Sequence, residues 1–448
     1  MKILLISPNT LTVPYPVYPL GLDYVAGAVI HRHKVKIADM NCMDRQQLAR
    51  LMKEFSPEII GISCRNIDNT ESGDSSYFIG EYADLISWLR EESDAVIVCG
   101  GAGFTIMPNR ISTRLGADYG IIGEGERFSL LVDALESGQD PCSIPGVISR
   151  AAATAPPPPW TGERRRALPA GTDQLRFYTR QGGMLNLQSK RGCAFSCIYC
   201  PYPRIEGHRH RLEDPDQVAA AARQLQEEGA GYLFLTDSAF NSDIDHSLRV
   251  ALAFRRTGLT IPWGGFFAPI RMPDDYFATL ATCGLAHVEF GTEAMCDAML
   301  THYRKPFRVD DVLRAHRMAR EAEIHTAHYL LLGGPGETEA TVNETLDNLE
   351  HLDRVVLFFF IGIRIYPGTA LYDLALAEGK VDPDADLLKP VFYRPDAIDF
   401  SAIKQMVIAR AASRTNWIVG SGGRKVAETV QRLHERGLVG PLWEFLAR

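Results

Sequence analysis

Two stretches of this chain alternate short Val- and Ile-rich runs with segments of helical apolar spacing, and a run of four prolines, Pro156 to Pro159, separates them. This double alternation limits the fold more than any other feature. Apolar runs of four to eight residues, each followed by an amphipathic stretch, form strands buried on both faces by helices, which is the pattern of parallel α/β architecture. In the first stretch the expected strands are Lys2 to Ile6, Lys34 to Ala38, Glu58 to Ser63, Ala95 to Cys99 and Tyr119 to Ile122. In the second they are Met184 to Gln188, Tyr232 to Thr236, Pro262 to Phe267, His287 to Gly291, Thr326 to Leu332 and Leu357 to Ile365. The first set predicts a doubly wound Rossmann-like sheet over residues 1–150, and the second a partial (β/α)6 barrel of TIM type over 176–382. Residues 151–175 are expected to be a stiff proline-rich linker. Residues 383–448 are expected to be a helical extension, in which Trp417 packs.

A chain of 448 residues exceeds one ordinary core, and 46% apolar with 23% charged residues is a globular balance. The formal charge of -8 argues against a broad nucleic-acid-binding face. The longest uncharged apolar run, Val355 to Ile363, falls well short of the roughly 20 residues that span a membrane. The amino terminus meets Pro8 and Asn9 before any secretory h-region develops, so a cytoplasmic location is expected. Of nine cysteines, Cys42, Cys64, Cys99, Cys142, Cys283 and Cys296 are scattered among apolar or small residues and are expected to be buried packing residues.

In open parallel sheets ligands sit beyond the carboxyl ends of the strands. The segments there are Ser7-Pro8-Asn9, Asp39-Met40-Asn41, Cys64-Arg65-Asn66, Gly100-Gly101-Ala102-Gly103 and Gly123-Glu124-Gly125-Glu126. Glycines allow backbone to approach a bulky ligand and to take positive φ, although each segment alone also suits an ordinary strand-to-helix turn.

The remaining cysteines form Cys193-x3-Cys197-x2-Cys200, directly after the first strand of the second set. Three thiolates on a cubane leave one iron open for catalysis. Zinc, closed by His208 or His210, remains an alternative at this level. With an aromatic residue, Tyr199, before the last cysteine, the segment resembles the signature of the radical S-adenosylmethionine (SAM) superfamily. That resemblance implies a [4Fe-4S] cluster on Cys193, Cys197 and Cys200. It also implies cleavage of SAM to a 5′-deoxyadenosyl radical, with electrons from a donor such as flavodoxin or ferredoxin. Further implied SAM contacts are Tyr199, Asp237 and Ser238 at the second strand end, Glu293 at the fourth, and Gly334 and Pro335 in the Gly-Gly-Pro-Gly-Glu-Thr segment at the fifth.

Placed before such a barrel, the first domain resembles the cobalamin-binding domain of B12-dependent radical SAM enzymes. The resemblance rests on Tyr18-Pro19-Leu20-Gly21, Gly100-Gly101 and Gly123-Glu124-Gly125-Glu126. It implies corrin contacts at Ser7, Tyr18, Leu20, Gly21, Ser63, Asn66, Gly100, Gly101, Gly123, Glu124 and Glu126. The Asp-x-His-x-x-Gly motif that supplies a histidine to cobalt does not occur in the first 150 residues. A bound cobalamin is therefore expected to lack that ligand, and a domain that binds no corrin stays open. The implied reaction is methylation of an unactivated carbon in a small molecule. Ring formation, rearrangement or oxidation by the same machinery is the alternative, and an iron-sulfur or zinc-stabilised binding protein is a remote one. Candidate substrate-facing residues are Trp263 to Phe267, Arg271 and Arg364 to Tyr366.

Overall fold

The computed structural model describes residues 1–12, 15–149, 157–169, 171–412 and 414–446. Residues 151–156, the start of the expected linker, lie outside the described residues.

The first sheet comprises β1 (Lys2–Ser7), β2 (Lys34–Asp39), β3 (Ile59–Ser63), β4 (Val96–Gly100), β5 (Tyr119–Ile121) and β6 (Val147–Ser149), in the order β2-β1-β3-β4-β5-β6. The first five are parallel, and β6 adds an antiparallel edge that sequence pattern did not reveal. Ile3 to Ile6 are almost entirely buried because helices cover both faces, which explains the unbroken apolar run. One of these helices, Arg45–Phe55, starts in a capping box between Asp44 and Gln47. Strand order reverses between β1 and β3, so a crevice opens beyond Ser7 and Ser63.

The second sheet is parallel throughout. It contains β7 (Met184–Leu187), β8 (Tyr232–Leu235), β9 (Trp263–Phe267), β10 (Leu285–Glu293), β11 (His325–Leu332) and β12 (Val355–Ile361), followed by β13 (Trp417–Val419) beside β12. The six expected barrel strands are present. The carboxy-terminal region, mainly helical as expected, nevertheless contributes the seventh strand at Trp417–Val419. Its last turn inserts Trp443, whose indole Nε1 donates to Glu289 Oε1 at 3.0 Å inside the barrel.

The connecting segment ties the two units together through its arginines. Arg166 Nε donates to Asp23 Oδ2 at 2.7 Å in the first domain, and its Nη1 to the Asn186 carbonyl at 3.0 Å in β7. Arg164 pairs with Glu213. The basic run is thus an interface.

Candidate active site

The cysteine loop leaves β7 through Lys190–Arg191, which pairs antiparallel with Arg211–Leu212. Gly192 has φ +89°, and a Cβ there would lie 2.1 Å from the Arg209 carbonyl, so only glycine fits this turn. The Cys193 amide donates to Gly207 O at 3.1 Å, Ile198 to Tyr303 O at 3.2 Å, and Leu371 to Ile198 O at 2.8 Å. The loop is therefore fixed from three sides before any metal is considered.

Burial raises the Cys197 thiol and pushes Cys200 up to about 12, so neither ionises at neutral pH until a metal displaces the proton. A single zinc at about 2.3 Å from each sulfur would need thiolates about 4 Å apart. Among the described residues the three sulfurs do not form a set within 4.8 Å of one another, so they do not stand at single-zinc spacing. Neither histidine completes a zinc site. His208 is exposed, and the His210 Nε2 is engaged by Ser242 Oγ at 3.1 Å.

The expected SAM contacts divide. Tyr199 and Glu293 meet, with the phenol donating to Glu293 Oε1 at 2.8 Å. Glu293 ends β10 at φ +67°, where the register with β11 shifts, a strained conformation of the kind that gathers at functional sites. Lys305, which sequence reasoning missed, places its ammonium 3.3 Å from both Glu293 Oε1 and the Tyr199 hydroxyl. Ser238 Oγ donates to the Gly192 carbonyl at 3.3 Å, beside the cysteine loop. Gly334 and Pro335 are buried at the β11 end. A Cβ on Gly334 would lie 2.4 Å from the Tyr303 ring, so its small size serves this packing.

Asp237 does not face the site, which corrects its expected contact with SAM. It is fully buried, accepts from Ser189 N at 2.8 Å and pairs with the equally buried Lys190 Nζ at 3.1 Å. Side chains alternate along the strand end, so Thr236 lines the interdomain cavity and Asp237 points away.

That cavity, of about 540 Å³, is bounded by the carboxyl ends of the first sheet and by β7, β8 and β9 of the second. All eleven residues named as corrin contacts line it. Gly101 has φ +104° and its Cβ position lies 3.0 Å from Cys64 O, so the turn admits only glycine. Glu124 and Glu126, however, turn their carboxylates to protein partners. Arg191 Nη2 lies 2.7 Å from Glu126 Oε1, its Nη1 lies 3.4 Å from Glu124 Oε1, and Arg211 also pairs with Glu124. These acids clamp the cysteine loop to the first domain. No histidine among the described residues lines the cavity. Arg65, from the same strand-end segment as Asn66, also lines it, and no hydrogen bond or ion pair engages its guanidinium among the described residues. The donor set, the glycine cradle and the cavity size fit a thiolate-bound cluster facing a corrin.

The expected substrate contacts fare less well. Trp263 is core, with its indole on Cys283 O at 2.8 Å; Arg271 is exposed against Asp311; and Arg364 is buried on Asp68 and the Leu387 carbonyl. Phe266 alone of that aromatic run lines the cavity, and it is 40% exposed. Deeper in the barrel Glu289, its pKa raised by burial, accepts from Tyr329 Oη at 3.0 Å as well as from Trp443.

A doubly wound domain whose glycine edge faces a three-cysteine barrel loop defines a class: enzymes that pair a corrin with a SAM-binding iron-sulfur cluster. Comparison with known proteins agrees. Residues 187–349 match the radical SAM superfamily model and residues 6–131 the B12 binding domain model. The chain is 26% identical to tryptophan 2-C-methyltransferase of Streptomyces laurentii, over 81% of this chain and 72% of the relative. It is 24% identical to cytidylyl-2-hydroxyethylphosphonate methyltransferase of Streptomyces wedmorensis, over 87% and 84%. The structure of the radical SAM methyltransferase TsrM from Kitasatospora setae, with cobalamin and a [4Fe-4S] cluster bound, superposes with TM-score 0.88 at 25% identity, covering 100% of this chain and 97% of that one. The chain belongs to the cobalamin-dependent radical SAM enzymes, and its cofactors are a [4Fe-4S] cluster, SAM and cobalamin. No helix among the described residues is long and apolar enough to cross a membrane.

Proposed function

We propose that the protein methylates a carbon atom of a small molecule in the cytoplasm, drawing electrons from a flavodoxin- or ferredoxin-type donor. One observation carries this reading: the eleven corrin-edge residues and the barrel residues Asn186, Thr236 and Phe266 share one cavity. Group transfer between cofactors needs that shared, enclosed space. Together the bound cluster, SAM and corrin supply a transferable methyl group and the means to activate its acceptor.

The chain's own residues hold and orient. Cys193, Cys197 and Cys200 would bind the cluster, and Tyr199, Ser238, Glu293, Gly334 and Pro335 form the SAM side. Gly100, Gly101 and Gly123 let the corrin approach backbone. Asp23, Arg166 and Arg191 fix the two domains at the separation the cavity requires. The curated relatives named above are methyltransferases acting on an indole and on a nucleotide-linked phosphonate, so the acceptor class stays wide, and Phe266 offers it an apolar wall.

The test is anaerobic reconstitution with iron, sulfide and cobalamin, followed by SAM and reductant. Near-stoichiometric corrin retention and reductant-dependent S-adenosylhomocysteine support methyl transfer. Formation of 5′-deoxyadenosine with no S-adenosylhomocysteine above a Cys197→Ala control would replace it with radical chemistry of another kind.

A further inference from the structure

Among the described residues the buried ammonium of Lys305 has one carboxylate partner, Glu293, and it lies beside the cluster loop. The segment that carries it is anchored to that loop by the Ile198 to Tyr303 hydrogen bond, and Arg304 takes φ +56°, which turns the next residue inward. The Lys305 side chain is 7% exposed. Its Nζ lies 3.3 Å from Glu293 Oε1 and 3.3 Å from the hydroxyl of Tyr199, the residue next to Cys200. The rings of Tyr199 and Phe307 flank it at 5.9 and 5.4 Å. A cation withdrawn from water this far requires anionic neighbours, and the cysteine thiolates are the second set within reach.

We propose that Lys305 is a positioning residue that sets the reduction potential of the cluster, by placing one positive charge, balanced by Glu293, beside the loop that carries the cluster's ligands. The inference rests on the assignment of the cluster to Cys193, Cys197 and Cys200. Reduction adds one electron, and so one negative charge, to the cluster. A positive charge near the ligands stabilises the more negative state more than the less negative one, which raises the potential. The pair is signed: without Lys305 the neighbouring Glu293 is left uncompensated and reduction becomes harder, whereas neutralising Glu293 leaves Lys305 in excess and reduction becomes easier. A structural brace would not give opposite signs.

The test is an EPR-monitored redox titration of reconstituted, SAM-free wild type, Lys305→Met, Lys305→Arg and Glu293→Gln, with iron counted in each. Losing one buried unit charge beside the ligands is expected to change the reduction equilibrium about tenfold, or about 59 mV for one electron. Lys305→Met is expected to shift the potential down by that much at full iron content, Lys305→Arg to return at least half of the shift, and Glu293→Gln to shift it up. Equal potentials in wild type and a fully loaded Lys305→Met would overturn the proposal. Should Lys305→Met fail to load, an unchanged or lowered potential in Glu293→Gln overturns it instead. A wild type that takes up no iron refutes the cluster assignment itself, which is a separate result.

Discussion

Replacing Arg191 by methionine tests whether the two domains are held as one unit by buried charge. The guanidinium is 6% exposed, pairs with Glu126 at 2.7 and 3.0 Å, reaches Glu124 at 3.4 Å and Gln188 at 3.2 Å, and stacks on the Tyr24 ring at 4.8 Å. Glu124 keeps Arg211 and the Trp160 amide when Arg191 is gone. Glu126, 1% exposed, keeps no charged partner. Removing one member of a buried pair costs about 3–5 kcal/mol, because the survivor's charge is stranded. The two other lost contacts place Arg191→Met at the upper part of that range. In Glu126→Gln the arginine retains Glu124 and Gln188, so about 1–2 kcal/mol is expected. In the double variant the stranded charge is absent, and the cycle should show a coupling of about 2 kcal/mol. The assay is urea unfolding of the cofactor-free protein, read as a change in midpoint at constant slope. Loss of cluster iron in Arg191→Met should accompany it, since Arg191 precedes Gly192 and Cys193. A cost below about 1 kcal/mol with additive single variants would refute the clamp.

Three further perturbations follow from single observations. Gly101→Ala forces a side chain into φ +104° and within 3.0 Å of Cys64 O, so corrin retention should fall at least about tenfold while cluster iron is kept, measured by visible absorbance. Cys193→Ala should abolish the iron-sulfur absorbance but leave corrin binding, because that cysteine does not line the corrin cavity. Desolvation on the helix Val309–Glu321 lowers His316 from 6.5 to about 4 in spite of its contacts with Asp353. The unfolded chain therefore binds the extra proton between those values. The stabilising contribution is complete above pH 6.5 and lost as pH falls toward 4, a change of about 3 kcal/mol. Thermal unfolding across that range should show the slope in wild type, and a shallower one in His316→Gln.

The parts of the site that were legible in sequence are those fixed by backbone geometry. In a doubly wound sheet every strand end projects to one edge, so Ser7, Ser63, Gly100 and Gly123 had to line one cavity once the strands were recognised. The cysteine triplet stood out by its spacing, which by itself left zinc open beside a cluster. What failed depends on side-chain direction. Asp237 was assigned by its place in a motif, yet strand alternation turns it under the loop toward Lys190. Glu124 and Glu126 were placed at the right edge but serve Arg191, a partner from the other domain that no local pattern announces. The strands Val147–Ser149 and Trp417–Val419 span three residues each and are defined by pairing with distant strands, Tyr119–Ile121 and Val355–Ile361, which local periodicity does not reveal.

The same wiring explains why corrin edge and cluster loop cannot relax independently. Glu124 and Glu126 belong to the turn that also supplies Gly123 to the cavity, and Arg191 is two residues ahead of Cys193. Arg211, the second cation on Glu124, is paired by backbone to Arg191 itself. Two acids from one domain and two bases from the other therefore close a neutral, buried ring around the junction of both cofactor sites. A shift of the loop relative to the sheet would expose charge that only this arrangement satisfies. That cost ties the cysteine loop to the glycine edge of the first sheet, so affinity for corrin should depend on Arg191 even though its guanidinium is committed to the two glutamates.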